Sequence, residues 1–87
     1  MEIKLGKWEK GGMQRIYFNA PALGSSKVYA YANKNGGFEI GEYKTTTAYN
    51  DAMYKAADEG TKLIEKLIGK PISYDTKFAD VWSAIGA

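Results

Sequence analysis

The first half of the chain alternates apolar and polar residues and is interrupted by glycine, proline and asparagine. Alternation predicts strands, because successive side chains of a strand point to opposite faces of a sheet. Lys10-Gly11-Gly12 and Asn33-Lys34-Asn35-Gly36-Gly37 are turn sequences, and residues 20–25 form a loop that contains Pro21 and Gly24. We therefore predict a four-stranded antiparallel meander within residues 1–44.

The second half repeats apolar residues at helical spacing. Apolar residues three and four positions apart predict one long amphipathic helix over residues 47–68, which Gly69 and Pro71 end. Gly60 lies on the apolar side of this helix, where the lack of a side chain allows close contact with the sheet. A shorter helix is predicted over residues 75–85.

Together these elements predict an α+β fold in a single domain, residues 1–87. The long helix packs on one face of the sheet, and the short C-terminal helix completes the chain. The strand residues predicted to lie beneath the long helix are all apolar: Ile3, Leu5, Ile16, Phe18, Val28, Ala30, Ala32, Phe38 and Ile40.

Fixing the core side of the strands also fixes the opposite side, which is rich in aromatic and basic residues. Lys4 and Glu39 belong to it. Aromatic residues and arginine are enriched at protein interfaces, and rings combined with cations can stack nucleobases. The candidate partner-binding residues on this side are Trp8, Arg15, Tyr17, Lys27, Tyr29, Tyr31 and Tyr43.

The residue composition argues against catalysis. The chain has neither cysteine nor histidine, which removes disulfides, thiolate metal sites and the usual general base. The glycines of residues 35–41 lack the spacing of a phosphate-binding loop, and no lysine is placed on an apolar face. We therefore expect no enzyme activity, no cofactor and no metal site.

Charge and hydropathy indicate where the protein acts. The N-terminal residues show no apolar run behind a basic stretch, so no secretory signal is expected. No apolar segment approaches the ~20 residues of a membrane helix. The net charge of +2 is too small to indicate a nucleic acid or lipid partner by itself. We expect a cytoplasmic protein.

Several interpretations of the aromatic side of the sheet stay open. The rings can stabilise the sheet through cross-strand pairs, or lie beneath the C-terminal helix, without binding anything. They can bind a protein partner, or they can bind nucleic acid. A further alternative is a self-assembling structural subunit that associates through the edge of the fourth strand.

Size and class favour a protein partner. In these respects the chain is similar to the small non-catalytic proteins that phages and mobile elements encode. Many of those proteins are stoichiometric inhibitors of host complexes, anti-CRISPR proteins among them. The similarity, which is one of size and class rather than of sequence motifs, implies a host macromolecular complex as partner and the host cytoplasm as location.

Overall fold

Four antiparallel strands and two helices build the α+β fold that the sequence predicts. A computed structural model describes residues 2–43 and 51–86, together with the side chains of those residues except Glu42 and Tyr43. The strands pair in chain order, β1-β2-β3-β4. The elements are β1 (Lys4–Lys10), β2 (Met13–Asn19), β3 (Lys27–Ala32), β4 (Phe38–Tyr43), α1 (Asp51–Ile68) and α2 (Phe78–Ala84).

The turn between β3 and β4 is built around one side chain. Asn33 Oδ1 accepts hydrogen bonds from the backbone N–H groups of Asn35 at 2.9 Å and Gly37 at 2.8 Å. Gly36 has a φ of 79°, which favours glycine. A Cβ atom on Gly37 would lie 2.9 Å from Asn33 Nδ2. The asparagine-glycine turn signal therefore identified the hairpin correctly.

α1 lies close to the sheet at the point where it has no side chain. A Cβ atom on Gly60 would be 2.6 Å from Cδ2 of Phe18. Phe18 is itself buried, so its ring has little room to move away. The predicted close contact at Gly60 is confirmed.

Both helices pack on the same side of the sheet. Phe78 and Val81 of α2 belong to the same buried cluster as Met53, Ala56 and Ile64 of α1. The ring of Phe78 stacks on Phe38, with ring centroids 6.5 Å apart. The strand side chains in this cluster are Ile16, Phe18, Val28 and Ala30, and the partly buried residues against it include Ile3, Leu5, Phe38 and Ile40.

Backbone pairing attaches the start of α2 to the β3–β4 hairpin. The Phe38 N–H donates to the Thr76 carbonyl at 2.9 Å, and the Phe78 N–H donates to the Gly36 carbonyl at 3.0 Å. These bonds flank a single antiparallel bridge between Gly37 and Lys77. α2 is therefore attached beside β4 on the core side of the sheet.

Three details differ from the sequence-based expectations. α2 begins at Phe78 rather than at residue 75, because Asp75 and Thr76 belong to a turn in which Thr76 Oγ1 accepts from the Ser73 N–H. It ends before Ile85, whose backbone is extended. Ala32 is exposed at the end of β3. The predicted start of the long helix at residue 47 lies outside the described residues.

Replacing Gly60 with alanine tests the contact between α1 and the sheet. The added methyl group must displace the buried Phe18 ring, and overpacking of this kind costs about 1–3 kcal/mol. That cost exceeds the gain of about 1 kcal/mol in helix propensity. We expect Gly60→Ala to lower the free energy of unfolding, measured by urea denaturation.

The matched comparison is a double-mutant cycle with Phe18→Leu. The smaller side chain leaves room for the methyl group, so Gly60→Ala should cost less in that background. An equal cost in both backgrounds would show that the methyl group does not meet Phe18.

Candidate functional site

The side of the sheet opposite the two helices is the candidate site, and we call it the outer face. Strand alternation and register place its members, and neither α1 nor α2 packs on it. The described side chains and glycines of the outer face are Lys4, Gly6, Trp8, Lys10, Met13, Arg15, Tyr17, Asn19, Lys27, Tyr29, Tyr31, Glu39 and Gly41.

Two tyrosines flanked by two glycines form the central row of the outer face. Tyr17 is directly opposite Gly6 on one side and Tyr29 on the other, and Tyr29 is opposite Gly41. The Tyr17 and Tyr29 ring centroids are 5.8 Å apart. A Cβ atom on Gly41 would lie 3.1 Å from Tyr31 Cε1 and 3.4 Å from Tyr29 Cζ. The rings of β3 therefore fill the space above Gly41.

Cations lie over these rings. The Arg15 guanidinium carbon is 4.7 Å from the Tyr29 centroid and 5.8 Å from the Trp8 centroid. Lys27 Nζ is 5.9 Å from the Tyr17 centroid. Cation–π contacts at these distances are attractive, and they hold the long side chains against the aromatic surface. A 3.4 Å hydrogen bond from Arg15 to the Tyr17 hydroxyl also raises the pKa of Arg15.

The carboxylate of Glu39 sits at the β3–β4 end of the outer face. It accepts hydrogen bonds from Asn33 Nδ2 at 3.0 Å and from the Tyr31 hydroxyl at 2.9 Å. Both hydrogen bonds lower the pKa of Glu39, and the bond from Asn33 has the larger effect. The bond to Glu39 raises the pKa of Tyr31. Glu39 is therefore already hydrogen-bonded within the protein.

A groove crosses the other end of the outer face, above Gly6. It encloses about 400 Å³ and is lined by Gly6, Lys7, Trp8, Tyr17, Asn19 and Lys27. A second depression of about 360 Å³ lies beside it, lined by Arg15, Tyr17, Lys27 and Tyr29. Tyr17 and Lys27 line both, so the two depressions adjoin.

The structure brings six of the seven candidate residues together on this face. Tyr17, Tyr29, Tyr31 and Arg15 are half-buried and in mutual contact, while Lys27 and Trp8 are exposed. The backbone of Tyr43 pairs with that of Lys27. Its side chain lies outside the described part of the chain.

Sequence reasoning passed over Gly6, Asn19 and Gly41, which shape the outer face beside the rings. The signal was present, because the same alternation that places Tyr17 and Tyr29 places them as well. No contribution to the outer face was predicted for these three residues. Their role depends on cross-strand register, which the sequence does not state.

The expectation that no lysine falls on an apolar face was wrong. Lys7 is opposite Ile16 on the core side of β1, at the edge of the sheet. Its Nζ donates a 3.0 Å hydrogen bond to the Ile85 carbonyl and lies 4.5 Å from the Trp82 ring centroid. Lys7 thus binds the end of α2, and its side chain remains exposed rather than buried.

Within residues 2–43 and 51–86, no three acidic side chains converge in a manner that could hold a metal ion. Neither helix in that part of the chain has the length and apolar content to cross a membrane. Comparison with models of known protein families, with characterised proteins and with solved structures produced no match.

The hydrogen bonds of Glu39 predict a measurable pH dependence. Because its pKa is lower in the folded protein than in the unfolded chain, its stabilising contribution is present above the unfolded-state pKa and is lost as the pH falls through the folded-state pKa. Tyr31→Phe removes one of the two donors and keeps the ring. We expect the pKa of Glu39, measured by NMR titration of its carboxyl carbon, to rise toward its ordinary value.

Tyr29→Phe is the matched control, since it removes the hydroxyl of the neighbouring ring and leaves both donors to Glu39 in place. The pKa of Glu39 should then change little. A shift of equal size in both variants would show that the Tyr31 hydrogen bond is not its cause.

Proposed function

We propose that this protein is a non-catalytic binding protein that docks onto a protein partner through its outer face, as a stoichiometric inhibitor of a macromolecular complex would. One observation carries the proposal. Trp8, Arg15, Tyr17, Tyr29 and Tyr31 lie together on the side of the sheet that neither helix covers.

The residue types on the outer face match those that dominate protein–protein binding energy. Tryptophan, tyrosine and arginine supply a large contact area and hydrogen-bonding groups, and they cluster at the centres of interfaces. Here the rings contact one another, and Arg15 lies over two of them. Side chains already held in place lose less conformational entropy when a partner binds.

Ring geometry favours a protein over nucleic acid. Base stacking needs ring faces that are open to successive bases. Tyr17 and Tyr29 are tilted at 49° to each other, and Tyr29 and Tyr31 at 47°. Lys27 lies over the ring of Tyr17 and Arg15 over that of Tyr29. The side chains of the outer face therefore already contact these two rings.

Substitution of two proposed anchors on the outer face tests the proposal. Trp8→Ala and Arg15→Gln should each reduce partner capture about tenfold or more, because hot-spot truncations commonly cost more than 1 kcal/mol and up to several. The measurement is quantitative mass spectrometry of proteins retained from an extract of the source cells by the immobilised wild type and variants.

Tyr74→Ala is the matched control. Tyr74 is 99% exposed, but it lies in the connection between the helices rather than on the outer face. A partner that docks on the outer face should be retained by this variant. A captured protein lost equally from all three variants, or from none, would contradict the proposal.

The same experiment separates two of the alternatives, nucleic-acid binding and purely structural rings. Nucleic-acid binding predicts that capture is removed by nuclease and falls steeply with added salt, since neutralised phosphates release counterions. Purely structural rings predict that Trp8→Ala and Arg15→Gln lower the melting temperature and leave binding to any partner unchanged.

A further inference from the structure

We propose that the groove above Gly6 receives an acidic segment of the partner protein, with carboxylates facing Lys4 and Lys27 and apolar groups packed against Trp8. This inference rests on the proposed function, because it names the chemistry of the partner that binds the outer face. It assigns the centre of recognition to the β1 side of that face.

The groove lies over a strand position that has no side chain, whereas the neighbouring outer-face positions of β1 and β2 do have one. Gly6 lies in the middle of β1, between Lys4 and Trp8 on the outer face and opposite Tyr17. The walls of this depression include Trp8, Tyr17 and Asn19. A Cβ atom on Gly6 would lie 3.0 Å from Asn19 Nδ2. The walls thus combine two apolar surfaces with one amide.

Charge on the outer face is distributed unevenly. Its cations, Lys4, Lys10, Arg15 and Lys27, come from β1, β2 and the first residue of β3. Among the described side chains of the four strands, Glu39 is the outer face's single carboxylate. It lies on β4 and accepts hydrogen bonds from Asn33 and Tyr31.

Charge complementarity therefore identifies the ligand. An extended segment in the groove meets Lys27 of β3 in the lining, and Lys4 lies beyond Gly6 on the same side of β1. The exposed Glu2 lines the adjoining depression together with Lys4 and Lys27, and Glu39 lies on β4. Complementary potential of this kind gives specificity and accelerates association. Trp8 is the exposed ring of the lining and favours side chains that bury apolar surface against it, so the segment we infer alternates Asp or Glu with aliphatic or aromatic residues.

The groove can be filled without breaking the strand. The backbone of Gly6 is not in the left-handed region, so a β-branched residue can adopt it, and the nearest obstacle is the end of the Asn19 side chain. Gly6→Val should therefore fold normally and occupy the groove. Gly86→Val is the matched control, since a Cβ atom on Gly86 would meet nothing within 4 Å.

The test is selection of a displayed library of random short peptides on the wild-type protein, followed by anisotropy titration of the enriched peptides. We expect enrichment of Asp and Glu together with aliphatic or aromatic residues. Binding should weaken about tenfold or more in Gly6→Val and in Lys27→Ala, as expected for the loss of a central contact, and should be unchanged in Gly86→Val. Circular dichroism and melting temperature verify that each variant is folded.

Three results would overturn the inference. The first is enrichment of peptides that lack acidic residues. The second is binding of the enriched peptides to Gly6→Val as tightly as to the wild type. The third is a selection that enriches no peptide. An oligothymidylate probe that binds the wild type and is lost in Gly6→Val, without enrichment of acidic peptides, would assign the groove to nucleic acid instead.

Failure here is distinguishable from failure of the proposed function. If partner capture is lost in Trp8→Ala and Arg15→Gln but retained in Gly6→Val, the outer face is the interface and the groove is not part of it. If partner capture is retained in Trp8→Ala and Arg15→Gln, the outer face is not the interface and the proposed function is wrong.

Discussion

The contact between Phe18 and the backbone of Gly60 determines how the rest of the molecule is arranged. It places α1 so close to the sheet that a methyl group would not fit between them. α1 packs on β2 and β3 at this distance. α2 begins beside the β3–β4 hairpin, and its C-terminal end reaches Lys7 of β1.

A chain of this size has apolar residues for one core and few beyond it. The buried cluster takes Met53, Ala56 and Ile64 from α1 and Phe78 and Val81 from α2. Because both helices contribute to the same cluster, neither is available to cover the opposite side of the sheet. The aromatic residues of the outer face then cover one another, with Arg15 and Lys27 lying over their rings.

Local features of the chain were predictable where one physical preference decides them. Alternation assigned Tyr17 and Tyr29 to one side of the sheet and Phe18 to the other, because a strand offers only two directions. The Asn33–Gly36 turn was recognisable from its residue types alone. Gly60 was expected to contact the sheet, because a glycine within a helix lowers stability unless close packing at that position compensates for it.

Features that depend on contacts between distant segments were not predictable. The backbone hydrogen bonds of Thr76 and Phe78 with Phe38 and Gly36 determine where α2 begins. The sequence around residue 78 contains no pattern that predicts these bonds. Alternation places Lys7 on the core side of β1 after Leu5, but its contacts with the Ile85 carbonyl and the Trp82 ring depend on where α2 ends. The groove above Gly6 follows from the register between β1 and β2, which brings Tyr17 and Asn19 beside a position without a side chain.

The two strand glycines of the outer face, Gly6 and Gly41, differ in what packs over them. The rings of Tyr29 and Tyr31 lean over Gly41, so the space at that glycine is filled by the protein itself. At Gly6 the amide of Asn19 takes that place, with its Nδ2 3.0 Å from an added Cβ atom, and the groove lined by Trp8 and Tyr17 adjoins it. Glycine in a strand lowers stability, because it contributes no side chain to the packing. At Gly41 the neighbouring rings compensate for that loss, whereas among the described residues the contact at Gly6 comes from the amide of Asn19 alone, so that no aromatic packing replaces the missing side chain.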